Sequence, residues 1–300
     1  MDRRSFTVLL LLAATWGSSY LFIAVALEDL GPSVITFLRL ALGAAVVVAM
    51  AARERVLSRL RGRLRAVTAL GVVQLGAPLL LIAVGEQDIP SALAGTLVAA
   101  TPVFSALITR GASTPVQLAG VAVGFVGVAL LLGLDATAAG DGGLKGALLV
   151  VLAALGYAVG AAWLARSFAD LPRLATLSGT MTTSALLLLP LALLDLPTRA
   201  PDVETVASVA ALGVLGTGVA FVLFYRLVAT VGPTKSLLVT YLAPVFAVGY
   251  GALLLDERIV ASTATGLGLV LGGAYLAGAR PTRTSRTQDA TTSVSSSTSS

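Results

Sequence analysis

The chain contains neither cysteine nor histidine in its 300 residues, and only 12% of its residues are charged. It therefore cannot form disulfides, use a thiolate in catalysis or build a Cys/His metal site. It also lacks the G-x-x-x-x-G-K-[ST] pattern of a phosphate-binding loop. We accordingly expect no cofactor, no metal and no step driven by ATP. The low charge, against about 25% in an average water-soluble domain, argues against a soluble protein.

Long apolar runs occupy most of the chain, and hydrophobic residues make up 57% of it. A run of about 20 apolar residues is long enough to cross a bilayer as a helix, and an isolated strand could not satisfy its backbone in lipid. The first run is too long for a signal peptide, so we interpret it as a membrane span. The predicted spans are 6–27, 32–52, 66–85, 90–109, 115–134, 144–165, 173–194, 205–229, 234–255 and 260–279.

The distribution of basic residues predicts the orientation of these ten spans. With the N-terminus inside, sixteen of the 20 Lys and Arg residues fall in inner loops or tails, and only Lys145, Arg199 and Arg258 fall in outer loops. The positive-inside rule then places both termini in the cytoplasm of a multi-pass inner-membrane protein. Because the basic residues are spread over loops, the net charge of +5 indicates topology and membrane lipid, and no nucleic-acid partner.

Two halves of the chain share a pattern. The triplet Pro102-Val103-Phe104 recurs 142 residues later as Pro244-Val245-Phe246. Five spans per copy, an odd number, would make the second copy inverted, which is the architecture of secondary transporters. The predicted repeats cover 6–134 and 144–279, joined by a linker at 135–143. The Ser/Thr-rich tail, 280–300, is predicted to be disordered and cytoplasmic.

Several short motifs lie in the first, second, eighth and ninth spans and in the loop after the ninth: Trp16-Gly17-Ser18-Ser19, Pro32 with Arg39, Thr217 to Phe221, Tyr241 to Phe246, and Leu255-Asp256-Glu257. These motifs resemble those of the EamA group of the drug/metabolite transporter superfamily. The resemblance implies an all-α membrane protein of ten transmembrane helices in two inverted five-helix repeats. It also implies a permease, often for amino acids or other small metabolites, whose central cavity is lined by the first, third and fourth helices of each repeat.

Polar residues within spans are expensive and usually face the interior of a bundle. The candidates for substrate binding are Trp16, Ser19, Gln74, Thr101, Tyr157, Thr217 and Tyr241. Trp16 and Tyr157 occupy equivalent repeat positions and suit an apolar or amphipathic solute, although packing explains them equally well. Pro102 and Pro244 each remove a backbone donor in mid-helix, so they predict a gating break or a static kink.

Arg39 is the one basic residue well inside a predicted span. It either pairs with Glu28 or Asp29, extends toward the outer surface, or binds a substrate carboxylate. No Asp or Glu is expected in a span core, which argues against a transporter of cationic drugs. The absence of a Lys or Arg cluster at mid-membrane argues against nucleotide sugars and sugar phosphates as substrates.

These features favour a secondary permease that exports amino acids or related neutral or zwitterionic solutes by alternating access. A non-transporting membrane partner or receptor is the alternative, and an intramembrane lipid-modifying enzyme is disfavoured because the residues for a nucleophile and base are missing. The expected partners are a small-molecule substrate and membrane lipids. The sequence leaves open whether the protein is a monomer or a homodimer.

Overall fold

A computed structural model describes residues 2–108, 114–132, 140–236 and 238–277, and within these ranges the chain is helical with no strand. The helices are numbered here in chain order: α1 Arg3–Ala26, α2 Pro32–Arg53, α3 Leu64–Gly85, α4 Ser91–Ile108, α5 Pro115–Leu130, α6 Gly143–Ser167, α7 Arg173–Leu194, α8 Val203–Val231, α9 Leu238–Leu254 and α10 Ala261–Ala277. A 3₁₀ turn, Leu57–Leu60, lies between α2 and α3, and a helical turn, Pro233–Ser236, precedes α9.

Seven of these helices are long and apolar enough to cross a membrane. The other three, α5, α9 and α10, are apolar and 16 or 17 residues long. Each helix overlaps one of the ten predicted spans, and α7 has the predicted bounds. Most of the predicted linker and the whole tail 280–300 lie outside the described residues.

Helix starts follow local chemistry. Pro32 begins α2 and Pro115 begins α5, positions where proline has no hydrogen bond to lose. At α5 the side chains of Thr114 and Gln117 each bond the backbone of the other residue, which forms a capping box. These residues determine where helices α2 and α5 begin.

Two helices contain wide turns, at equivalent places in the two halves. α3 has a π-helical segment at Val72–Gly76, and α8 has one at Ala211–Val219. A π-helical turn changes which side chains share a helix face and is frequent at functional sites. When Val72–Gly76 is shifted by 142 residues, the offset between the two Pro-Val-Phe triplets, it falls inside Ala211–Val219.

The two predicted proline kinks differ. α4 is interrupted at Ala99 and Ala100, immediately before Pro102, where i to i+3 bonds replace the regular ladder. α9 continues through Pro244 without interruption. The helix is therefore interrupted before Pro102 and continues through Pro244, and the choice between a gating break and a static kink stays a prediction at both positions.

Helix packing is reciprocal between the halves. α1 packs against α9 and α6 against α4, and α2 packs against α8 and α7 against α3. The pairs α1·α8 and α6·α3 are likewise reciprocal, and the further pairs α2·α7, α4·α9 and α5·α10 also join the two halves. A Cβ on Gly120 would lie 2.7 Å from the carbonyl oxygen of Gly273, so α5 and α10 meet at backbone distance. On α10, Gly266 and Gly273 make close contacts with α5 and with Leu131 just after it, whereas a Cβ on Gly268 or Gly272 would have no heavy atom within 4 Å.

Polar contacts join the halves on the side of the bundle where α1 ends and α2 begins, which we call the α1–α2 face. The contacts join Asp29 to Arg199 at 2.8 Å, Ser33 to Asp195 at 2.6 Å, Glu257 to the N–H groups of Ser91 and Ala92 at 2.8 and 2.9 Å, and Asp88 to Lys145 at 3.9 Å. On the opposite side, Arg63 lies 3.1 Å from Asp170 and donates to the Ser167 carbonyl.

The Asp29 carboxylate is the most highly coordinated of these groups. It accepts hydrogen bonds from the backbone N–H of Asp202, from Arg199 and from the Thr205 hydroxyl. In that order of importance, these donors lower the pKa of Asp29 to about 2. Asp29 therefore stays ionised and holds the α1–α2 loop against the start of α8.

Candidate functional site

Arg39 lies buried in the bundle, with 8% of its surface exposed, and bonds to both halves of the chain. Its Nε donates to Thr217 Oγ1 on α8 at 2.9 Å, and its Nη2 donates to Ser19 Oγ on α1 at 3.4 Å. The predicted pair with Glu28 or Asp29 does not form, because Asp29 is occupied by Arg199 and α8. The remaining guanidinium donors make no hydrogen bond with the described residues.

Thr217 reaches Arg39 because α2 and α8 approach closely. A Cβ on Gly43 would lie 2.8 Å from Thr217 Cγ2, and one on Gly213 would lie 2.5 Å from Leu42 Cβ. Thr217 also lies in the π-helical segment of α8, and its hydroxyl donates to the carbonyl of Leu212 five residues earlier. The Thr217 oxygen can therefore donate to its own helix and still accept from Arg39.

Three further side chains interact with the Arg39 charge: Tyr20 on α1, Tyr157 on α6 and Glu86, which follows the last residue of α3. Neither tyrosine hydroxyl has a hydrogen-bond partner among the described residues. Arg39, Ser19, Thr217, Tyr20, Tyr157 and Glu86 thus form a polar cluster contributed by five helices or their ends, which we call the Arg39 cluster.

Glu86 was missed by the sequence analysis, which assigned it to a loop and expected no acidic residue in the core. The structure buries it to 8% exposure, and neither carboxylate oxygen has a hydrogen-bond partner. The signal was present in its surroundings: Glu86 directly follows the apolar run of α3 and precedes the buried Ile89 by three residues. Loop assignment from charge alone overlooked that a short loop can fold back into the bundle.

Gln74 lies in the π-helical segment of α3 and packs against α6. A Cβ on Gly160 would lie 2.5 Å from Gln74 Cβ, so glycine is required there for the two helices to meet. Gln74 is partly buried, and its amide makes no hydrogen bond with the described residues. These contacts fit interhelical packing as well as substrate contact, which were the two predicted roles.

Trp16 and Tyr157 belong to different parts of the bundle. The Trp16 ring packs against Phe221 and Phe224 of α8, with ring centroids 5.6 and 5.1 Å apart, in an apolar cluster with Leu9 and Leu12. Tyr157 joins the apolar residues of α2, α3 and α7 and the Arg39 cluster. The structure brings Tyr157 close to Arg39 and does not pair it with Trp16.

The last two predicted polar residues bond to nearby backbone. Thr101 Oγ1 donates to the Val98 carbonyl at 2.8 Å, across the break in α4. The Tyr241 hydroxyl donates to the Ala274 carbonyl of α10 at 3.3 Å. Of the seven predicted binding residues, Ser19, Thr217 and Tyr157 come together around Arg39, and Trp16, Gln74, Thr101 and Tyr241 do not.

A groove of about 520 Å³ opens between α2, α7 and the start of α8. Apolar side chains line it throughout, including Val34, Phe37, Leu189 and Val206, and none of the predicted site residues belongs to it. Its lining suits hydrocarbon, so it does not compete with the Arg39 cluster as a site for a polar solute.

Comparisons with known proteins agree on one class. The sequence model of the EamA-like transporter family matches residues 4–133 and again 144–279. The chain is 26% identical over 298 residues to an "Uncharacterized inner membrane transporter YedA" of Escherichia coli strain K12, covering 95% of this chain and 96% of that protein. It is 32% identical over 249 residues to a "Probable terminal-alkyne amino-acid exporter" of Streptantibioticus cattleyicolor, covering 79% and 80%.

A solved crystal structure has the same fold, with a TM-score of 0.65 at 23% identity over 93% of this chain and 97% of its own. The helices and these relatives define a multi-pass membrane transporter. The chain belongs to the EamA-like transporter family, as the motifs around Arg39, Thr217 and Pro244 predicted.

Proposed function

We propose that the chain is a secondary permease that exports amino acids or related zwitterionic solutes across the inner membrane by alternating access. Arg39 carries the substrate assignment, because a buried guanidinium with unused donors is suited to a carboxylate. The exporter direction and the amino-acid class draw on the 32% identical relative with the printed name of an amino-acid exporter.

The architecture in this proposal is two inverted five-helix repeats, with ten spans. Two separate matches to the family model, at 4–133 and 144–279, support it. The reciprocal packing of α1·α9 with α6·α4, and of α2·α8 with α7·α3, supports it further, as do the π-helical segments of α3 and α8. With both termini in the cytoplasm, the α1–α2 face is the extracytoplasmic one.

The Arg39 cluster lies where such repeats meet. Arg39 and Ser19 come from the first half, and Thr217 and Tyr157 come from the second. Rearrangement of the halves would change these contacts directly, so occupancy of the site can be coupled to the conformation. Hydroxyl, guanidinium and aromatic groups leave the site suited to a small solute with a carboxylate and an apolar side chain.

Efflux from proteoliposomes tests the proposal. Vesicles are loaded with radiolabelled L-amino acids, and efflux is measured for wild type, Arg39→Gln and the exposed control Arg65→Gln, with and without a pH gradient. A lost charge-assisted hydrogen bond is worth about 1.5–3 kcal/mol, so Arg39→Gln should lower kcat/KM by about 10- to 100-fold. Arg65→Gln should match wild type, because Arg65 is exposed at the start of α3.

The outcomes separate the parts of the proposal. Saturable efflux that Arg39→Gln abolishes supports a permease with a central carboxylate site, and the pH comparison distinguishes proton coupling from uniport or exchange. Efflux that Arg39→Gln leaves unchanged rejects Arg39 as a substrate ligand. Absence of saturable efflux for every amino acid rejects the substrate class, and leaves membership of the transporter family intact.

A further inference from the structure

Glu86 is a buried carboxyl group that has no hydrogen-bond partner among the described residues. Both of its carboxyl oxygens are buried and make no hydrogen bond with those residues. Only 8% of the residue surface is exposed, so more than nine-tenths of it is buried. Buried polar atoms in folded proteins are almost always paired, and an exception requires a physical explanation. None of the described ion pairs includes Glu86.

The groups around Glu86 define what it faces. α2 packs against the second half of α3, which brings the Arg39 guanidinium into electrostatic contact with the Glu86 carboxylate. Glu257 repels the same carboxylate, and Tyr20 lies within its field. Arg39 and Glu86 form no ion pair within 4.0 Å, so the two groups stand apart in the same cluster. Burial raises the pKa of the Glu86 carboxyl well above its usual range, and a cationic group bound beside it would favour the ionised form.

This arrangement matches the two charges of a zwitterion. Arg39 keeps donors that no described residue uses, and Glu86 keeps four acceptor positions that no described residue uses. A permanent internal partner for Glu86 would have to be displaced in every transport cycle. A cationic group that arrives and leaves with the solute satisfies the carboxylate only while the site is occupied.

We propose that Glu86 is the second charged end of the substrate site, which binds the ammonium group of a zwitterionic solute whose carboxylate binds Arg39. The inference rests on the proposed permease function and adds a determinant of specificity to it. Tyr20 and Tyr157, which pack against the same apolar core, would supply ring surface for the apolar side chain of the solute. The site then selects against solutes that carry only one of the two charges.

Three compounds with the same side chain separate the two ends of the site. Radiolabelled L-leucine is bound to the full-length protein in detergent at pH 6.5, and is competed with L-leucine, L-leucinamide or 4-methylpentanoate. Leucinamide keeps the ammonium group and lacks the carboxylate, and 4-methylpentanoate lacks the ammonium group. Wild type should bind either analogue at least ~10-fold more weakly than leucine, because each leaves one buried charge unpaired.

Glu86→Gln should weaken leucine binding about 10- to 100-fold, to the level of 4-methylpentanoate, whose own affinity should not change. Arg39→Gln should give the mirror result, with leucine falling to the level of leucinamide. The control Asp88→Asn removes a carboxylate two residues away that already pairs with Lys145, and should keep the wild-type order. Glu86→Asp, which retains the charge, should bind leucine weakly but still prefer it to 4-methylpentanoate.

The inference is overturned when Glu86→Gln keeps the wild-type ratio of affinities for leucine and 4-methylpentanoate. It is also overturned when the wild type does not distinguish these two compounds. Should Glu86→Gln not fold, judged by its elution as a monodisperse species, Glu86→Asp decides, because loss of its preference for leucine also overturns the inference. If either overturning result is found while the vesicle assay still shows saturable amino-acid efflux, the proposed permease function is retained and only the role of Glu86 is rejected.

Discussion

The Glu257 carboxylate caps the start of α4 and thereby joins the two halves at the α1–α2 face. Its two oxygens accept from the backbone N–H groups of Ser91 and Ala92, at 2.8 and 2.9 Å. Caps of helix N-termini contribute about 0.5–2 kcal/mol, and bonds to a charged group about 1.5–3 kcal/mol. We take about 2 kcal/mol as the free energy lost in Glu257→Ala.

If the cap forms only when this face is closed, the same 2 kcal/mol shifts the equilibrium between closed and open conformations. Since 1.4 kcal/mol is a factor of ten, the open population should rise about 30-fold. The absence of native cysteine provides the assay. Ser19→Cys places a single thiol beside Arg39, and its labelling by a membrane-impermeant maleimide reports access from the α1–α2 face.

In intact cells, the Glu257→Ala variant of the Ser19→Cys protein should be labelled about 30-fold faster than the Ser19→Cys protein itself, because labelling follows the open population. Glu28→Ala, an exposed acidic residue on the same face, is the matched control and should leave the rate unchanged. The reasoning would be refuted if Glu257→Ala lowered the melting temperature but did not speed labelling in either intact cells or inverted vesicles. The cap would then stabilise both conformations equally.

Two further predictions concern the stability of the fold. Because the folded pKa of Asp29 is lowered to about 2, its contribution is full above the ordinary value near 3.8 and is lost as the pH falls through 2. The melting-temperature difference between wild type and Asp29→Asn should be constant above about pH 5 and shrink toward pH 2; a difference that grows on acidification contradicts this. Gly213→Ala should destabilise the protein by about 1–3 kcal/mol through overpacking against Leu42, whereas Gly249→Ala, with no atom within 4 Å, should not. Equal melting temperatures for these two variants would show that α2 and α8 can separate without loss.

The sequence predicted the helices well because each apolar run is long and bounded by Gly, Pro or charge. α7, for example, lies between Pro172 and Asp195 and has the predicted bounds. Local conformation within the runs was harder. Within Val72–Gly76 of α3 and Ala211–Val219 of α8, every residue except Gln74 and Thr217 is apolar or glycine, so no periodicity distinguishes a π-helical turn from an α-helical one there. Pro102 and Pro244 lie in identical triplets, and only their tertiary surroundings decide that one helix breaks and the other does not.

The site was predictable only in part, for a related reason. Ser19, Arg39, Tyr157 and Thr217 could be chosen because polar groups in apolar runs are conspicuous. Glu86 was harder to choose, since its signal was only its place between an apolar run and Ile89, and burial of a loop residue depends on how neighbouring loops fold over it. Trp16 and Tyr241 were chosen on residue type, and the structure uses both in contacts between helices.

The contacts of the α1–α2 face have a kinetic consequence. They involve Asp29, Asp195, Glu257 and Asp88, and each joins a residue of the first half to one of the second. Breaking one alone leaves a carboxylate without its donor while the others still hold the halves together, so a partly opened face gains no freedom. In the alternating-access cycle proposed above, opening should therefore be cooperative, with intermediate states higher in energy than either end state, and the face should change as a unit between two discrete arrangements.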